Sequence, residues 1–171
     1  MIQASDESRP RLQPTVVDAF CGAGGMSLGF FNAGFNILYA FDNDGPSLDT
    51  YRNNFPNTCI AMEDIRKVTA NSIRSALERD APTPETFGSK ALDELDVLIG
   101  GPPCQGFSSQ NVDGHGDVRN QLILEFLRLV SELRPRIFLL ENVHGLVGKR
   151  GSTITNQLSK WANQINYRID W

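Results

Sequence analysis

DVLIG (96–100), QLILEFLRLVSEL (121–133) and RIFLLEN (136–142) together decide the fold. The first and third are continuous apolar runs rather than alternating ones, the pattern of strands covered on both faces by helices. The second is helical. Leu122, Phe126, Leu129 and Leu133 recur on one face, and Glu125, Arg128 and Glu132 form a polar stripe. A helix joining two such strands is the crossover of a parallel pair.

Working outward, the same alternation repeats. VVDAF (16–20) is a short apolar run followed by GAGG, and MSLGFFNAG then reads as a helix closed by Gly34. NILYAF (36–41) is a second strand. Gly45 and Pro46 open the helix PSLDTYRNNF, since proline is tolerated in a first helical turn. TCIAM is a weak third strand, a helix follows over about 70–80, and APTPETFGS (81–89) is a loop by its prolines and glycine. A last helix covers roughly 152–164, and YRIDW begins a further strand. The expectation is an α/β fold with a doubly wound, mostly parallel sheet over residues 15–171, behind a polar segment at 1–14.

Composition fits a globular chain: 40% of residues are hydrophobic and 21% charged. No run approaches the ~18 apolar residues of a membrane span, and MIQASDESRPRLQP lacks the apolar stretch of a signal peptide. A soluble cytoplasmic protein, nucleoid-associated if bacterial, is expected. The three cysteines, Cys21, Cys59 and Cys104, have no metal-ligand spacing and no even pairing, so reduced thiols and no metal are expected. The net charge of −4 is the wrong sign for a chain that grips a polyanion by itself.

Ligands in doubly wound sheets bind outside the carboxyl ends of the strands. The residues there are DAFCGAGG, FDND, MEDI, GGPPCQGFS and ENV, all rich in carboxylates, glycines, prolines or cysteine. Within FCGAGGMSLG, Gly22 and Gly24 fit the first two positions of a dinucleotide fingerprint, but Ser27 stands where the third glycine or alanine belongs. Asp42 ends the second strand 20 residues after Gly22, where a carboxylate holds a ribose hydroxyl. The glycines are equally compatible with tight strand-to-helix packing, and a dehydrogenase stays open at this point. Asp64 is a third strand-end carboxylate. Cys104 sits behind Pro102 and Pro103 in a stiff strand-end loop, which suits either a nucleophile held for attack or a structural thiol. Glu141 ends the buried run IFLL and suits a proton donor or shuttle, or a structural pairing. Cys21 and Cys59 read as small buried residues, and His115 and His144 as surface histidines.

FCGAGG, FDND, MEDI, GGPPCQGFS, DVRNQL and ENV, in this order, resemble the cytosine-5 DNA methyltransferase family from about Val16 onward. The resemblance implies a Rossmann-like sheet of the S-adenosylmethionine-dependent methyltransferase type. It implies methyl transfer to carbon 5 of cytosine in double-stranded DNA, with the base flipped out of the duplex. Cys104 is implied to attack carbon 6. Glu141 is implied to hydrogen-bond N3 and the exocyclic amine, and Asn142 to brace the loop. S-adenosylmethionine is the implied cofactor, leaving as S-adenosylhomocysteine. Phe20, Gly22, Gly24 and Gly25 are implied to run along its methionine and sugar portion. Asp42 would hold the ribose, Asp64 and Ile65 would face the adenine, and Gly101, Pro103 and Leu122 would line the methionine end. Asn43 stands where many relatives carry a large apolar side chain, which implies weaker stacking on adenine.

Relatives continue beyond the YRIDW strand with a Gln-x-Arg-x-Arg segment, a target-recognition region and a final helix. That comparison sets an expectation of a fold truncated before its last strands, with a complementing C-terminal chain or subunit supplying the DNA grip. A non-catalytic cofactor-binding subunit and an RNA cytosine-5 methyltransferase are the alternative readings.

Overall fold

The structure is a computed structural model that describes residues 13–80, 90–103, 120–142 and 152–170. Its strands are β1 (Thr15–Ala19), β2 (Asn36–Asp42), β3 (Cys59–Met62), β4 (Val97–Gly100) and β5 (Ile137–Leu140). They form one parallel sheet in the order β3-β2-β1-β4-β5. The helices are α1 (Gly25–Asn32), α2 (Gly45–Asn54), α3 (Ala70–Asp80), α4 (Lys90–Asp93), α5 (Asn120–Leu133) and α6 (Ser152–Gln164). This is the doubly wound α/β arrangement expected from the alternation of segments. Among the described residues, no helix is long and apolar enough to cross a membrane.

Local chemistry explains the helix ends. Past α1, Gly34 takes φ 85. Its N–H donates to Phe31 O and that of Phe35 to Phe30 O, the two bonds of a Schellman motif. At the start of α2, the Asp44 carboxylate accepts from the Ser47 N–H at 3.0 Å while Pro46 occupies the first turn.

The sheet carries apolar side chains on both faces, as strands with helices on either side require. On one face Val17, Ala19 and Leu98 pack with Phe126, Leu129 and Val130 of α5. On the other, Val16, Ile37, Val97 and Ile99 pack with Met26 and Phe30 of α1.

Two expectations need correction. RIFLLEN was expected to be covered on both faces, yet β5 is covered on one. Phe138 meets the rings of Phe126, Trp161 and Tyr167, whereas Ile137 and Leu139 are 62% and 46% exposed. Both residues stand in register with Val97 and Ile99, whose face α1 covers, but no described element extends that cover to the sheet edge. Residues 167–170 form no strand. Tyr167 instead folds back, its hydroxyl donating to Pro135 O and its ring lying under Arg134. Without a neighbouring strand to supply ladder bonds, an extended segment is not a strand.

Candidate functional site

The strand order reverses direction around β1, which is flanked by β2 and β4. At such a switch point the connecting loops diverge and leave a crevice at the carboxyl ends. A cleft of about 320 Å³ lies there, lined by Phe20, Phe41, Asp42, Asn43, Glu63, Asp64, Ile65, Arg66, Gly101, Pro103 and Leu122. Phe20, Asp42, Asn43, Asp64, Ile65, Gly101, Pro103 and Leu122 are residues that sequence reasoning had singled out. Gly22, Gly24 and Gly25 are not in this wall; they form the turn behind it.

Phe41, Glu63 and Arg66 also line the cleft; the first two fall inside the quoted FDND and MEDI but had been given no role there. Phe41 was hidden inside an apolar strand run. Glu63 and Arg66 flank Asp64, and only that adjacency could have marked them.

Phe20 adopts φ 58, a left-handed conformation that costs a non-glycine residue about 1–2 kcal/mol. That strain belongs to a residue whose side chain reaches the cleft wall. Asp42 is held from two sides. Its Oδ2 accepts from the Gly22 N–H at 2.8 Å, and its Oδ1 from the Asp44 N–H at 2.9 Å. Each oxygen keeps lone-pair capacity for a further donor. Asp64 is paired with Arg66 through both guanidinium and backbone N–H. The Arg66 hydrogen bonds hold its carboxyl down at about 2. Three carboxylates against one guanidinium give the described wall a net negative charge.

Behind the wall lies a buried polar chain that no motif or spacing marked. Ser27 Oγ donates to Asp18 Oδ2 at 2.6 Å and lies 2.6 Å from the Tyr51 hydroxyl. Ser27 had counted only against a dinucleotide fingerprint; here it joins α1 to β1 and α2.

Glu141 and Asn142 follow β5. The Glu141 N–H donates to Gly100 O at 2.9 Å, and its carboxylate Oε2 lies 3.2 Å from where a Cβ on Gly101 would stand. The side chain is exposed, in keeping with the place of β5 at the edge of the described sheet. Asn142 Nδ2 donates to Pro102 O at 3.3 Å, two residues before Cys104. Cys104, His115 and His144 lie outside the described residues. Cys21 and Cys59 are buried free thiols, and burial pushes both up, further from the thiolate form a nucleophile needs. Among the described residues no group of acidic, cysteine or histidine side chains is arranged to hold a metal ion.

The polar stripe of α5 also serves the cleft. Arg128, braced by Glu125 and Glu132, donates from Nη2 to Ile65 O and Val68 O, both at 2.9 Å. It thus clamps the loop that carries Ile65. Arg128→Leu should cost about 2 kcal/mol, the scale of charge-assisted bonds lost to partly buried carbonyls. Arg128→Lys should recover only part, since an ammonium lacks the planar fork. Urea unfolding midpoints check this, and an unchanged midpoint in Arg128→Leu would contradict the clamp.

The model for C-5 cytosine-specific DNA methylases matches residues 14–171. The type II methyltransferase M.AgeI of Thalassovita gelatinovora is 38% identical over 154 residues, covering 90% of this chain and 33% of M.AgeI. M.XorII of Xanthomonas oryzae is 36% identical, with 88% of this chain and 33% of the relative covered. The chain therefore spans about a third of the length of these curated relatives. A crystal structure of a prophage-encoded protein of E. coli, assigned as a DNA modification methyltransferase, superposes with a TM-score of 0.70 at 38% identity. It covers 89% of this chain and 38% of that one. With its parallel sheet, its switch-point cleft and a family match across nearly all of its length, this chain belongs to the C-5 cytosine-specific DNA methylase family.

Proposed function

We propose that the chain is the cofactor-binding and catalytic part of a DNA cytosine-5 methyltransferase that uses S-adenosylmethionine. The observation that carries the reading is the convergence of eight motif residues on one switch-point cleft. The described wall fits the cofactor chemically. Asp42, already oriented by two backbone N–H groups, has lone pairs left for ribose hydroxyls. Phe20 and Ile65 supply apolar surface for a nucleoside, and the surplus of carboxylates suits a ligand that bears a sulfonium and an ammonium. When bound, that cofactor supplies an electrophilic methyl group.

The chain's own residues then have these tasks. The Cys104 thiolate forms a bond to carbon 6 of a flipped cytosine, and the electron pair of the 5,6 double bond becomes available at carbon 5. Glu141 hydrogen-bonds the ring edge at N3 and the exocyclic amine, offsetting the charge that develops there. After carbon 5 is methylated, its proton leaves to a base, the double bond re-forms, and the bond from carbon 6 to sulfur breaks to restore the thiolate. Asn142, bonded to Pro102 O, steadies the segment leading to Cys104. Double-stranded DNA is the substrate. A C-terminal polypeptide of the kind that makes up the rest of M.AgeI supplies the DNA contacts, which suits the acidic balance of this chain.

The test is transfer of labelled methyl groups from S-adenosylmethionine to unmethylated DNA, with and without such a polypeptide in the mixture. Activity is expected in the complemented mixture and not in this chain alone. Methylation of RNA in place of DNA, or none in either mixture, would refute the proposal.

A further inference from the structure

Asp18 lies within β1, in register with Ala40 of β2 and Ile99 of β4, and is fully buried. Its Oδ2 is bonded to Ser27 Oγ, and among the described residues its Oδ1 has no partner. Among the described residues the groups that face it are Ser27 from α1, Tyr51 from α2, Asp42 from β2 and Cys21 from the turn after β1. None is a cation. An ionised carboxylate with one bare oxygen and a like charge nearby is strongly disfavoured, whereas a neutral acid is tolerable there.

The same chain of atoms spans the turn that backs the cleft. Asp18 stands two residues before Phe20, and Ser27 stands in the first turn of α1. Between them the Gly24 N–H donates to Cys21 O, and the Gly22 N–H donates to Asp42. Tyr51, the far end of the chain, packs with Phe55 against Gly24.

We propose that Asp18 is a positioning residue that works as a neutral carboxylic acid, locking the Phe20–Gly24 turn through Ser27 and Tyr51, and that its ionisation loosens this turn and weakens binding in the cleft. The affinity half rests on the cofactor reading above. Burial raises the carboxyl most, the Ser27 bond opposes, and the charge of Asp42 adds; the result is about 7. The folded value therefore exceeds the unfolded one. The contribution of the bound proton is complete below the unfolded value of 3.8 and is lost as pH rises through about 7.

S-adenosylhomocysteine, which lacks the sulfonium charge, is the probe. Its binding is measured by calorimetry from roughly pH 5.5 to 9 in the wild type and in Asp18→Asn, which cannot ionise. Titration of the ligand itself cancels in the ratio of the two dissociation constants. That ratio should be flat at mildly acidic pH and rise as pH passes through about 7, by at most about tenfold per unit. Infrared difference spectra of the wild type should show the carbonyl stretch of a protonated acid at mildly acidic pH, lost near neutrality and absent in Asp18→Asn. Parallel binding profiles in the two proteins would overturn the proposal. Absence from the wild type of a protonated-acid band that is lost between mildly acidic and neutral pH would overturn it even if Asp18→Asn did not fold. Absence of binding in both proteins at every pH would overturn the cofactor reading and the affinity half, leaving the infrared titration to decide the protonation of Asp18.

Discussion

Cys104→Ser is expected to reduce methyl transfer in the complemented mixture to background, at least about 10⁴-fold, while S-adenosylmethionine binding stays at the wild-type level. A serine hydroxyl is a far weaker nucleophile than a thiolate at neutral pH. Carbon 5 of cytosine stays unreactive until a nucleophile has added next door. The described wall of the cleft is built from other residues, so cofactor affinity has no reason to change.

Glu141→Gln makes the companion case. Its carboxylate stands beside Gly101 on the cleft wall, and its backbone is tied to Gly100 O. A glutamine keeps the shape and loses the ability to exchange a proton with the ring, which should slow transfer by about 10²–10⁴-fold. DNA with fluorine at carbon 5 separates the two roles, because fluorine cannot leave as a cation and the adduct persists. The wild type should become covalently attached to it, Glu141→Gln more slowly, and Cys104→Ser not at all. Transfer that survives in Cys104→Ser would refute the covalent mechanism.

What was legible in the sequence was whatever depends on local pattern. Continuous apolar runs marked β4 and β5 and shorter ones β1 and β2, and the carboxyl-end rule pointed to the strand ends that line the cleft. Asp42 and Asp64 were found because a strand-end carboxylate is conspicuous. Asp18 was not, because an acid inside an apolar strand looks like an interruption until Ser27, 9 residues on, is seen to bond it, and Tyr51, a further 24 residues on, to bond Ser27. Arg128 was missed for the same reason. On a helical wheel it belongs to a solvated stripe, yet it reaches across to carbonyls 60 and 63 residues away. The exposure of Ile137 and Leu139 was illegible from their own composition, since an edge strand and a central strand read alike when the element that covers them is not in view.

The glycines of the turn invite the sharpest stability test, because two readings of them were open: close approach to a cofactor, or tight packing. At Gly24, φ 97 is combined with a position where a Cβ would stand 2.6 Å from Phe55 Cε2 and 3.0 Å from Tyr51 Cδ2. Left-handed strain of about 1–2 kcal/mol and overpacking of about 1–3 kcal/mol should act together in Gly24→Ala. A loss near 3 kcal/mol follows, roughly 6–12 °C in melting temperature for a chain of this size. Gly22 has φ 51 but nothing within 4 Å of its Cβ position, so Gly22→Ala should cost only about 1 kcal/mol. Gly25 has neither a positive φ nor a neighbour there, and Gly25→Ala should be neutral or slightly stabilising as the first residue of α1. If Gly24 is a packing residue, Phe55→Leu in the same chain should restore part of what Gly24→Ala loses, a coupling that additive effects would not produce. Equal melting temperatures for Gly24→Ala and Gly22→Ala would instead show that the turn's backbone, rather than the rings of α2, sets the need for glycine.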